Sequence, residues 1–149
     1  MTTAPFPSEL APLTLSYRPD LGVLTVRWLR DVTFEELQEG FRSASALSHT
    51  HQATCWLVDV RRRVMLDAFQ SEWVAQRLLP EMAATLAPDP LFVAYLLAPA
   101  RVENIRLEPA LRATVAQAEH SSQAYRLRTF ADEGPAMQWL LAQQQPSHE

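Results

Sequence analysis

The chain has no lysine, one cysteine and only three glycines among its 149 residues. All thirteen basic positions counted as Lys+Arg are arginine. That reads as the codon usage of a GC-rich genome rather than a demand for a guanidinium fork at every site. The single cysteine, Cys55, excludes an internal disulfide and suits a reducing compartment. Gly22, Gly40 and Gly134 each stand alone, so no glycine-rich phosphate loop can be built. No serine sits in a nucleophile-elbow pattern. The longest apolar run, Leu91 to Ala100, is far too short to cross a bilayer. Residues 1–12 carry neither a basic n-region nor an apolar h-region, so no signal peptide and a cytoplasmic location are expected. The formal charge of −4 argues against a basic nucleic-acid-binding face. His49 and His51 lie two apart in a polar stretch, and His120 and His148 are isolated. A zinc site needs three or four convergent ligands, so no metal and no cofactor are expected.

What the chain does have is a globular composition, 48% hydrophobic and 20% charged, at a length that suits one domain. Residues 1–12 read as a flexible tail, 13–142 as one α/β domain and 143–149 as a polar tail. Leu13, Leu15 and Tyr17 alternate with polar residues, as do Leu24, Val26 and Trp28. With Pro19-Asp20-Leu21-Gly22 between them, these form a β-hairpin. Thr33 and Glu36 have capping-box spacing, and Phe34, Leu37, Phe41, Ala44 and Leu47 form a helical stripe behind them. Thr54 to Val60 and Leu91 to Leu97 are apolar almost throughout, as strands covered on both faces are. Asp67 and Gln70 cap a second helix carrying Phe69, Trp73 and Leu78, which Pro80 should kink or end. Pro109 opens a helix with Leu111, Val115 and Ala118. Tyr125, Leu127 and Thr129 alternate with Arg126 and Arg128 as an outer strand, and Asp132 opens a last helix.

The order predicts a hairpin followed by three βα units: a mostly parallel five-stranded sheet with four main helices. Loops that follow parallel strands then meet at one edge of the sheet. Trp56, Val58, Leu96 and Phe41 are expected to be buried together, and Trp28, Trp56, Trp73 and Trp139 to serve as core anchors. Cys55 is expected to pack in the core, since a reactive thiol wants an exposed electropositive place.

Two stretches carry a family resemblance. The strand ending Leu57-Val58-Asp59-Val60 is followed by Asp67-Ala68 at the start of a helix. The chain then closes on Phe130-Ala-Asp, followed by Ala136-x-x-Trp139-Leu140. This resembles the STAS superfamily: the domains of sulphate transporters and anti-sigma-factor antagonists, and the bacterial proteins similar to them. Antagonists of that family carry a strand ending Leu-Asp-Leu, then an Asp-Ser pair whose serine accepts a phosphoryl group. The resemblance implies a STAS-like fold over residues 13–142. It places Ala68, which has no hydroxyl, at the phosphoacceptor position. The partner-switching phosphorylation is therefore expected to be absent.

Arg61, Arg62, Arg63 and Arg101, with Asn104 and Asp59, are the candidate ligand residues. Guanidiniums converging on one sheet edge suit a phosphate or carboxylate. Salt bridges to Asp59, Asp67 and Glu103 are the competing structural explanation. No constellation supports catalysis. The expected function is a non-enzymatic interaction or regulatory module. Its partner would be an unidentified protein or a second copy in a homodimer, with no nucleic acid and no membrane insertion. The alternative is a carrier or sensor that holds a small anionic or amphipathic ligand in a cleft lined by arginine and tryptophan.

Overall fold

The first hairpin forms as its alternation demands. β1 (Leu13–Arg18) pairs antiparallel with β2 (Val23–Trp28), and Gly22 at φ 67° supplies the left-handed turn between them. The structure, a computed structural model, describes residues 11–63, 67–120 and 124–144. The expected tails at 1–10 and 145–149 lie outside the described residues. Pro12 and Gln143, placed at the tail boundaries from sequence, belong to the fold: Pro12 accepts the Leu29 N–H, and Gln143 ends the last helix.

β2, β3 (Cys55–Asp59), β4 (Leu91–Leu96) and β5 (Tyr125–Phe130) run parallel, and the sheet order is β1-β2-β3-β4-β5. Because neighbours in sequence are neighbours in the sheet, crossovers of one hand place their helices on one face. That face carries the main core, where Leu24, Trp56, Val58 and Val93 meet Leu37, Phe41 and Leu79. The opposite face holds Val23, Cys55, Leu57, Ala94 and Leu96 under the last helix. Leu96 is therefore not buried with Trp56, Val58 and Phe41. It lies beside Asp59 in the ladder, and odd and even strand positions face opposite ways.

α1 (Phe34–His51) begins with the full reciprocal capping box of Thr33 and Glu36. Arg30 adds a fork on Glu36, and with the Thr33 N–H holds its carboxyl at about 2. Near the end of α1, the Trp56 Nε1–H donates to Ser48 Oγ, which donates to the Ala53 carbonyl at 2.7 Å. Cys55 is buried, and burial pushes its thiol up.

α2 (Ala68–Trp73) starts where Asp67 caps it, with Oδ1 accepting the Phe69 N–H at 3.0 Å. Pro80 does not end this helix. The chain passes into a π-helical turn (Val74–Leu78) and then α3 (Leu79–Leu86). Proline has no N–H and its ring crowds the carbonyl four residues back. The wider turn, in which the Leu79 N–H reaches the Val74 carbonyl, absorbs both defects.

A second difference follows β4. Residues expected in a loop form α4 (Pro99–Leu107), ahead of α5 (Pro109–Glu119) and α6 (Glu133–Gln143). The four main helices expected are thus joined by a further one. α4 has no amphipathic signature to read, because Ile105 is its only buried residue.

Candidate functional site

The segments after β3 and β4 do meet at the carboxyl edge of the sheet, but they divide between its two faces. On the α6 face, Asp59 lies opposite Arg27 in the β2–β3 register. Its carboxylate is almost fully buried and accepts the Arg61 backbone N–H at 3.0 Å, Arg61 Nε at 3.0 Å, Arg61 Nη2 at 2.8 Å and Arg27 Nη1. Glu133, the first residue of α6, stands 3.4 Å from both guanidiniums. Burial alone would raise the Asp59 pKa, but the Arg61 bonds and the two positive charges outweigh it, so the net shift is downward. Asp59 is thereby locked as an ionised structural acceptor. Its lone pairs are spoken for, and Arg61 is held with it. The cluster acts as a clamp that ties β2, β3 and α6 together.

The other face differs. Arg63 is only 8% exposed. Its Nη2 donates to Gln70 Oε1 at 2.7 Å, and Gln70 reaches on to the Val32 carbonyl. Gln70 therefore does not return to complete the expected cap with Asp67. Arg63 Nε and Arg101 Nε are both buried without a hydrogen-bond partner among the described residues. Burial lowers the pKa of the Arg63 guanidinium, and Arg101 lowers it further, while Tyr95, Asp31 and Asp67 pull the other way. Arg63, Arg101 and Tyr95 thus share one electrostatic neighbourhood. Tyr95 itself is half-buried, and burial pushes its phenol well above the ordinary value.

Beside this group lies an apolar cleft. One wall is Ser71, Val74, Ala75 and Leu79, a helical stripe that includes the π-turn. The facing wall is Leu111, Thr114, Val115 and Ala118, a stripe of α5. Tyr95, Leu97, Leu127 and Thr129 form the sheet floor, and Ile105 of α4 adds the remaining side. Its volume is about 60 Å³. Arg101 and Ile105 are four apart on α4 and so share a face. Ile105 lines the cleft, and Arg101 stands one turn away. Across the cleft, the Tyr125 hydroxyl donates to the Ala75 carbonyl at 2.8 Å and fixes the π-turn to β5, and burial pushes that phenol up to about 12. Neither arginine nor tryptophan is among the lining residues, contrary to the expectation of a cleft lined by both.

Of the remaining candidates, Arg62 and Asn104 are exposed. Glu103 pairs with Arg106 on the surface of α4. Ala68 stands at the first position of α2. The residues that sequence reasoning missed are Arg27, Gln70, Tyr95 and Glu133. Gln70 left a trace only as the expected cap partner of Asp67, and Tyr95 as the one hydroxyl within the apolar run of β4. No protein-family model, curated protein or solved structure matches this chain.

Proposed function

We propose that the chain is a STAS-like, non-enzymatic binding module without a phosphorylation switch, and that it takes a small amphipathic anion at the Arg63–Arg101 edge. The observation that carries this reading is the pair of buried guanidinium nitrogens, Arg63 Nε and Arg101 Nε, that have no hydrogen-bond partner among the described residues. A buried donor without an acceptor costs about 1–3 kcal/mol, and more when charged. An anion supplied from outside removes that cost. The adjoining apolar cleft gives the ligand's other end a place away from water. Support for a binding rather than a chemical role comes from the acid at the same edge: Asp59 is ionised and committed to two arginines. The resemblance to STAS domains rests on the residues around Asp59, Asp67 and Trp139 and on the hairpin-first order.

The test is thermal unfolding of the protein with a panel of small carboxylates and phosphates, in a buffer free of both. Anions that bind the folded state should raise Tm for the wild type, less at high salt, and not for Arg101→Gln. A panel in which no anion stabilises the wild type refutes the reading.

A protein partner is favoured by a separate observation: Val102 and Leu107 on α4 and Phe69 on α2 are large apolar side chains exposed at 43%, 67% and 61%. Sedimentation of the wild type and of a Val102→Ser, Leu107→Ser variant shows whether the two α4 side chains mediate self-association.

A further inference from the structure

We infer that the cleft between the π-turn and α5 is a binding site for a small uncharged molecule: an apolar body the size of a six-membered ring, carrying one hydroxyl or carbonyl group. The inference goes beyond the anion reading and does not rest on it. Neither Arg63 nor Arg101 is in the walls, and the apolar end of an anion would compete for the same space.

The gap is built into the fold. Ser71 and Ala75 lie one turn apart on one wall, and Thr114 and Ala118 lie one turn apart on the other. Small side chains therefore stand on both helical walls, where larger ones would fill the space. Both walls are also pinned to the same strand. The Tyr125 hydroxyl of β5 donates to the Ala75 carbonyl at 2.8 Å. Glu119, the last residue of α5, accepts both the N–H and the hydroxyl of Thr129 in β5 at 3.2 Å. With each wall tied to β5, neither slides inward to close the gap. A cleft held open by its own scaffold is a preformed site.

The walls set the ligand class. No Asp, Glu, Arg or His is among the lining residues. A charged group there would give up its water with no counter-ion in return. Four lining residues carry hydroxyls: Ser71, Tyr95, Thr114 and Thr129. Thr114 Oγ1 is bound to the Ala110 carbonyl, and Thr129 Oγ1 to Glu119. The Ser71 and Tyr95 hydroxyls have no hydrogen-bond partner among the described residues. They offer hydrogen bonds in walls that are otherwise hydrocarbon, enough for one hydroxyl or carbonyl and too few for a sugar. Size follows from volume. A water-sized group occupies about 10–15 Å³, so about 60 Å³ encloses about four to six such groups, the body of one small ring.

The test is a titration of the full-length protein followed by amide ¹H–¹⁵N NMR at pH 7, where phenol is uncharged. The probes are phenol, cyclohexanol, toluene, cyclohexanecarboxylate and glycerol. Phenol and cyclohexanol should give saturable shifts centred on residues 71–79, 95–97 and 111–118. Cyclohexanecarboxylate and glycerol should bind at least about tenfold more weakly. Tyr95→Phe should weaken phenol about three- to tenfold, the worth of one neutral hydrogen bond, and leave toluene unchanged. Ala118→Leu and the half-buried Thr114→Leu fill the space and should abolish binding of all three uncharged rings. Arg101→Gln should leave phenol binding as in the wild type. The wild-type probe series decides the matter even if the filled variants do not fold. No saturable shift from any uncharged ring overturns the inference, as does phenol binding unchanged in a folded filled variant or shifts centred elsewhere. Cyclohexanecarboxylate binding more tightly than cyclohexanol, with loss in Arg101→Gln, overturns it and leaves the anion reading standing.

Discussion

Replacing Asp59 by alanine should destabilise the fold by about 2–3 kcal/mol at neutral pH. The variant loses the acceptor for the Arg61 backbone N–H, a bond that contributes about 1 kcal/mol. It also loses the Arg61 fork and the Arg27 contact. In a fully buried setting each charged bond contributes about 1.5–3 kcal/mol. Here the Arg27 and Arg61 side chains keep 31% and 36% of their area in water. They are rehydrated rather than stranded, and the ionic share falls to about 1–2 kcal/mol in all. The pH dependence is specific. The Asp59 pKa is lower folded than unfolded, despite the opposing effect of burial, because Arg61 and Arg27 favour the charged form. Its contribution is therefore full above the unfolded pKa of about 3.9 and is lost as pH falls through the folded value. Urea unfolding, followed by tryptophan fluorescence and far-ultraviolet circular dichroism, should show the full gap at pH 7 and a narrowing gap below about pH 4. The variant should still lose stability in acid, because Glu36 sits at about 2 when folded. Glu133→Ala, whose partners are at 3.4 Å and whose side chain is 43% exposed, should cost under about 0.5 kcal/mol. An Asp59→Ala variant within about 0.5 kcal/mol of wild type at pH 7, or a gap that does not change with pH, would refute the clamp.

Trp56→Ala should cost about 3–5 kcal/mol by chemical denaturation, since the ring is fully buried against Phe41 and its N–H ties β3 to Ser48 near the end of α1. Asp67→Ala should cost about 1 kcal/mol by the same measurement, through the lost cap on Phe69. Gly40→Ala gains about 1 kcal/mol of helix propensity. It nevertheless should lower Tm, because the new Cβ would stand 2.5 Å from Trp28 Cη2, in a ring with no room to move. Incubation with candidate kinases and peptide mapping should find no phosphate between Asp59 and Gln70, which contain no hydroxyl side chain; stoichiometric phosphate on Ser71, half-buried in the cleft wall, would revive a switching role.

Local pattern was enough for much of this protein. The alternation in β1 and β2, the apolar runs of β3 and β4, the Thr33–Glu36 box and the Asp67 cap are all short-range signals, and each is expressed where it stands. The order of those elements was enough for a mostly parallel sheet with converging loops. Pro80 shows where local rules stop: the rule that proline breaks a helix is about hydrogen bonds within the helix. The bond from Tyr125 to Ala75, fifty residues away, is among the contacts that hold the widened turn. α4 was illegible because a helix buried only through Ile105 has no stripe to detect. The site itself was half legible. That arginines gather at one edge followed from topology, but which of them is free did not. Arg61 and Arg63 are two apart in sequence and meet opposite fates. Register sets Arg27 across from Asp59 and draws Arg61 into the clamp, while Arg63 is buried on the far side of the sheet against Gln70. Charge pairing depends on distances between segments far apart in the chain, and only the packed sheet sets those distances.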